Sequence, residues 1–177
     1  MISPRPDALD HVLPDSVVRT FDPSKDLAEL VVLQRCCWVA EALTNETLDI
    51  PALRETHAEV LDWATTWEVL VVRLGHRLVG AVRGRQEDRD WQVGRLMVAP
   101  DLSGRGIGSA LLALIEDAAP DAVARYTLFT GARSRRNVQI YERAGYAINA
   151  EATHAPGHIA GAVVLTKPRV PIHRSLL

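Results

Sequence analysis

Apolar positions along this chain follow two rhythms, one of period two and one near 3.6. Short apolar or alternating runs at residues 17–21, 69–73, 77–85, 91–98, 126–130, 146–153 and 161–166 predict strands. Gly75-His76 between the second and third of these reads as a hairpin turn, and residues 87–90 as a charged turn. Asp22-Pro23 reads as a helix start, followed by Leu27, Leu30, Val31, Gln34 and Trp38 at helical spacing. A break at residues 44–51 precedes a shorter helix over 52–63. The clearest apolar stripe is Ile107, Ala110, Leu111, Leu114, Ile115 and Ala118, on a helix that starts near Gly106. Residues 134–144 predict a last helix, with Gly145 in the usual stop position.

This order is helices early, a hairpin, then strands alternating with helices. It predicts an α/β fold with a mixed sheet and helices on both faces. The expected organisation is one domain over residues 16–168. A flexible, Pro- and Asp-rich segment precedes it at 1–15, and a tail follows at 169–177. The 177 residues suffice for a single sizeable core.

The chemistry concentrates where the strand ending in Leu96, Met97 and Val98 leads into Ser103-Gly104-Arg105-Gly106-Ile107-Gly108-Ser109. A helix start carries unpaired N–H groups and partial positive charge. Glycines there let backbone approach a phosphate closely. A P-loop needs a lysine in the motif, and the only lysines are Lys25 and Lys167. A dinucleotide-binding fingerprint needs Gly-x-Gly-x-x-Gly early in a βαβ unit, whereas this spacing is Gly-x-Gly-x-Gly in mid-chain.

Composition adds exclusions. A net charge of −2 gives no basic field for nucleic acid. No run approaches a membrane span, and no leading apolar stretch reads as a signal peptide. Cys36 and Cys37 are adjacent and are the only cysteines, so a disulfide framework is excluded and a reducing cytoplasm is the expected home. Asn45-Glu46-Thr47 matches a glycosylation sequon and is read as chance. No metal site is expected: His154 and His158 are four apart, but Pro156-Gly157 breaks any helix that would align them.

The segment 103–108 resembles the acyl-CoA signature of the GNAT family of N-acetyltransferases, with Ser103 where that signature has Gln or Arg. Asn137-Val138-Gln139-Ile140-Tyr141-Glu142-Arg143-Ala144-Gly145-Tyr146 resembles the family's second hallmark, at the right separation. The likeness is good over residues 66–167 and general before them. It implies a mostly antiparallel sheet of about seven strands with a splayed parallel pair, strands 91–98 and 126–130, in its middle. It also implies acetyl-CoA as acyl donor and a small-molecule or peptide amine as acceptor, with a homodimer as an open expectation. The pantetheine arm would meet the backbone of Leu96, Met97 and Val98 as an added strand would. The pyrophosphate would meet Gly104, Arg105, Gly106, Ile107, Gly108 and Ser109. Ser134 and Asn137 would contact the cofactor, while Arg133, Arg135 and Arg136 either reach its phosphates or form a solvated face.

Tyr141 is the expected general acid, a phenol able to protonate a departing thiolate. A base is not evident. Histone-acetylating relatives use a glutamate near the position of Gln92, an amide that cannot serve. Glu87, Asp88 and Asp90 fall on a charged turn, the two loop histidines read as ordinary loop residues, and water is equally open. Trp38, Trp63, Trp67 and Trp91 either line the acceptor pocket or pack the core. Two function classes follow: an enzyme, or a non-catalytic acyl-CoA-binding module on the same fold.

Overall fold

The computed structural model describes residues 4–152 and 161–170. One seven-stranded sheet organises them, in the order β1-β2-β3-β4-β5-β7-β6. The strands are β1 (Ser16–Thr20), β2 (Glu68–Leu74), β3 (Arg77–Glu87), β4 (Asp90–Val98), β5 (Arg125–Gly131), β6 (Ala147–Ile148) and β7 (Ala162–Pro168). All neighbours pair antiparallel except β4 and β5. The helices are α1 (Pro23–Asn45), α2 (Pro51–Arg54), α3 (His57–Thr66), α4 (Ile107–Asp117) and α5 (Arg135–Arg143). No described helix is long and apolar enough to cross a membrane.

The start of α1 follows from its sequence. Asp22 accepts from the Ser24 N–H at 3.0 Å, and Pro23 occupies the first turn. Asp26 is fully buried in that turn and receives Arg19 at 2.6 and 2.7 Å, Arg73 at 2.8 Å and the Asp22 N–H at 2.8 Å. Burial alone would raise this carboxyl. The Arg19 hydrogen bond, the Asp22 N–H and the Arg73 contact outweigh it and hold the carboxyl below the usual range.

Three sequence expectations change. The single helix over 52–63 is two helices, because Thr56 and Glu59 form a capping box that starts α3 anew. Within the segment 1–15, expected to be loose, the described residues include Leu9 and Leu13 buried in the core, and the Val18 N–H donates to the Pro6 carbonyl at 2.9 Å. Burial of two leucines outweighs the local Pro and Asp content. The strand over 146–153 shortens to Ala147–Ile148. Its first residue, Tyr146, is instead buried, with its hydroxyl donating to Glu116 at 2.8 Å.

Candidate active site

The parallel pairing of β4 and β5 covers only Asp90–Arg125, Trp91–Tyr126 and Gln92–Thr127. Beyond Gln92 the strands separate, while β5 goes on pairing with β7 as far as Gly131. The register of β4 against β3 shifts here: Ala81 faces Met97 but Arg83 faces Gly94, so two residues oppose one. Arg95, in the bulge, has φ +48. A bulge bends and twists its strand, and the remainder of β4 is left with an edge that β5 does not cover. That edge carries Leu96, Met97 and Val98. Leu96 and Val98 line a cleft of about 1740 Å³, while the Met97 side chain is buried in the core.

The glycine loop closes one end of this cleft. Gly104 and Gly106 both have φ +84, a conformation that side chains disfavour. Gly106 caps α4 with no side-chain hydrogen bond, so the first-turn N–H groups of the helix keep their capacity for an anion. Gly104, Gly106, Ile107, Gly108 and Ser109 line the cleft, and the Arg105 side chain is exposed outside it. A Cβ built on Gly104 would lie 3.7 Å from Nη2 of Arg136, so that guanidinium overhangs the loop. Arg133 is turned elsewhere, onto Glu46 at 2.8 Å.

The opposite wall is α5. Ser134 and Asn137 lie here as expected, but their polar groups are taken up by α1. The Ser134 hydroxyl donates to Glu41 Oε2 at 2.5 Å, and Asn137 Nδ2 donates to Glu41 Oε1 at 2.6 Å. Asn45 Nδ2 donates to the Ser134 hydroxyl at 3.0 Å. A Cβ on Gly131 would stand 2.4 Å from the Asn45 amide, so the glycine leaves room for that side chain between α1 and β5. Tyr141 lines the cleft one turn after Asn137 and meets Tyr146 edge-on, with ring centroids 6.2 Å apart. Burial first, and the Glu41 charge second, push its phenol well above the usual value. Cys37 donates its thiol to the Val98 carbonyl at 3.3 Å, and burial raises that thiol to about 11.

Glu41 and Asn45 were not among the residues expected from sequence. Helical periodicity assigns α1 a buried stripe but does not say what its half-exposed face meets. Gln92 is where the sequence put it, with its amide donating to Glu87. Trp38, Trp63 and Trp67 line the cleft, whereas Trp91 is core, its ring over Gly84 on β3. His154 and His158 lie outside the described residues.

A cleft between splayed parallel strands, ending at an uncapped glycine-rich helix start, agrees with the comparison to known families. Residues 28–146 match the model of the acetyltransferase (GNAT) family. The chain belongs to that family. The GNAT match begins within α1, well before the two motifs that first carried the likeness. GNAT membership makes the chain an N-acetyltransferase, and acetyl-CoA is the acyl donor of the family. No curated protein matches the chain in sequence. Solved structures share the GNAT fold at low identity. The PaiA N-acetyltransferase of Thermoplasma acidophilum, in complex with coenzyme A, is 14% identical with a TM-score of 0.74, over 87% of this chain and 99% of that one. An acetyltransferase from Streptococcus agalactiae is 18% identical with a TM-score of 0.70, over 89% and 100%. The yncA protein of Salmonella typhimurium, solved with its cofactor acetyl-CoA, is 16% identical with a TM-score of 0.65, over 86% and 93%.

Proposed function

We propose that the chain acetylates a primary amine by direct attack on acetyl-CoA, with Tyr141 as general acid. The observation that carries this reading is the meeting, in one cleft, of the uncovered β4 edge, the uncapped start of α4 and the Tyr141 phenol. The residues fit the donor. The backbone of Leu96, Met97 and Val98 offers an amide-bearing arm the edge that β5 leaves uncovered. The N–H groups of residues 106–109, with Arg136 above Gly104, offer a pyrophosphate a polar, cationic seat. Bound there, acetyl-CoA supplies an activated acetyl thioester.

Tyr141 holds its proton throughout the physiological range, because burial and Glu41 both disfavour the phenolate. As the C–N bond forms and the C–S bond breaks, the phenol gives that proton to the leaving sulfur. The proton lost by the amine leaves through water in the open cleft, and the phenol recovers one by the same route. Ser134 and Asn137 act on Tyr141 indirectly, by fixing α5 to Glu41. The raised Cys37 thiol is a poor nucleophile, which favours direct transfer over a cysteine-bound acyl group.

Steady-state kinetics of Tyr141→Phe test the reading. Loss of a general acid costs about 100-fold or more in kcat, with acetyl-CoA affinity kept. Unchanged turnover removes Tyr141 from the chemistry. Acetyl-CoA binding without transfer to any amine favours the non-catalytic module, a reading to which Gln92 in place of an acid lends some support.

A further inference from the structure

The part of the cleft lined by Trp63 and Trp67 holds an unusual stack. Arg83 and Arg85 lie two apart on β3, on the same face of the sheet. The Arg83 guanidinium carbon sits 4.0 Å from the Trp67 ring centroid and 4.6 Å from that of Trp63. Arg85 covers Trp67 at 4.5 Å. Gly94, facing Arg83 across the β3–β4 ladder, leaves room for the stack, since a Cβ there would crowd Arg83 Nε at 3.2 Å. Arg83 therefore lies between the sheet backbone and two indoles.

No ion pair answers its charge. Among the described residues no carboxylate forms an ion pair with Arg83 or Arg85, and Arg83 Nε is buried without a hydrogen-bond partner. The carboxylates nearby are committed elsewhere or lie at the mouth. Glu55 is held by Arg95, by Gln34 Nε2 at 2.9 Å and by Trp63 Nε1 at 3.1 Å. Glu59 caps α3, and Glu87 accepts from Gln92. Asp62 is exposed on α3. Burial, together with repulsion from Arg95 and Arg85 and against the pull of Glu55, draws Arg83 down to about 9, still charged at neutral pH. A half-buried guanidinium whose Nε is buried without a hydrogen-bond partner is costly unless an anion meets it. Aromatic stacking offsets part of that cost and leaves the edge of the fork free.

We infer that Arg83, supported by Arg85, is a specificity residue that receives a carboxylate on the acceptor, so that the substrate is an amine that also carries a carboxylate. The inference rests on the acetyl-transfer reading for the amine half and on the Arg83 geometry alone for the carboxylate half. A guanidinium pairs with a carboxylate through two parallel hydrogen bonds, and the indoles that hold it wall the pocket with apolar surface.

Matched triplets of α-amino acid, amino-acid amide and decarboxylated amine test this. Small, aromatic, acidic and basic side chains are compared with the intact protein, by calorimetric binding with coenzyme A present and by acetyl transfer. The amino acid is expected to lead its amide and amine by about 10–100-fold, the usual worth of charged hydrogen bonds. Arg83→Met, whose folding is checked by thermal melt, is expected to erase that lead, bringing the amino acid level with its amide and amine. Arg83→Lys is expected to restore only part of it. Equal binding of all three members, or a lead that survives Arg83→Met, overturns the inference even if acetyl transfer proceeds. Carboxylate binding that depends on Arg83, without turnover of any triplet, sustains the subsite and overturns the transferase reading instead.

Discussion

Asn137 donates to the Glu41 carboxylate across 2.6 Å, joining α5 to a residue 96 positions earlier on α1. That bond and its Ser134 counterpart fix the wall on which Tyr141 stands. Glu41→Gln removes a charge that helps hold the Tyr141 phenol protonated. It is expected to lower kcat with little change in acetyl-CoA affinity, and to move any basic limb of kcat to lower pH. A pH–rate profile of the variant beside the parent checks both.

Tyr141 itself makes a pH prediction. Its phenol is held above the ordinary value of 10.0. The acid form therefore persists through neutral and mildly alkaline solution, and kcat should show no basic limb below pH 10. A fall beginning near pH 8 in saturating substrate would assign the proton to another group.

Gly106 stands at φ +84, with Val12 Cγ1 3.4 Å from where a Cβ would be. Gly106→Ala is expected to lose about 1–2 kcal/mol of stability from the left-handed backbone. It should also weaken acetyl-CoA binding, because the added methyl stands over the start of α4. Denaturant unfolding and calorimetric titration separate the two effects.

Asp26 anchors α1 by answering Arg19 and Arg73 together. Asp26→Asn leaves two arginines underpaired and is expected to cost about 3 kcal/mol. At this chain length that is a fall of about 6–12 °C in Tm at neutral pH. The carboxyl lies below its ordinary 3.8 in the folded state. Its contribution is therefore complete above that value and disappears as pH falls through the lowered one. Melts at neutral and acid pH should show the gap between parent and variant closing in acid.

Local signals in the sequence were strong where the physics is local. Pro23 in the first turn of α1, Gly75 at φ +57 in the hairpin and Gly145 at φ +92 after α5 each act as their residue type suggests. The glycine loop was legible for the same reason, whereas Tyr141 was singled out by its resemblance to a family motif. The Thr56–Glu59 capping box is likewise a local helix start, lying inside the 52–63 segment whose apolar pattern runs across it. Other features depend on distant partners. Glu41 and Asn45 acquire their roles only when α1 meets α5, and Arg83 only when β3, Gly94 and α3 come together. At the bulge the left-handed residue is Arg95 rather than its neighbour Gly94, so residue type does not mark it. Leu9 and Leu13 show that a polar stretch can still bury two well-placed leucines.

The most direct test is a thermal melt of the purified protein against acetyl-CoA, longer acyl-CoAs, NAD and ATP. A ligand at a hundred times its Kd adds about 2.7 kcal/mol to the folded state, enough to raise the midpoint by several degrees. The cleft between β4 and β5 predicts selective stabilisation by acetyl-CoA. A flat response to every CoA ester, or a shift with NAD alone, would contradict the donor site and the acetyl transfer built on it.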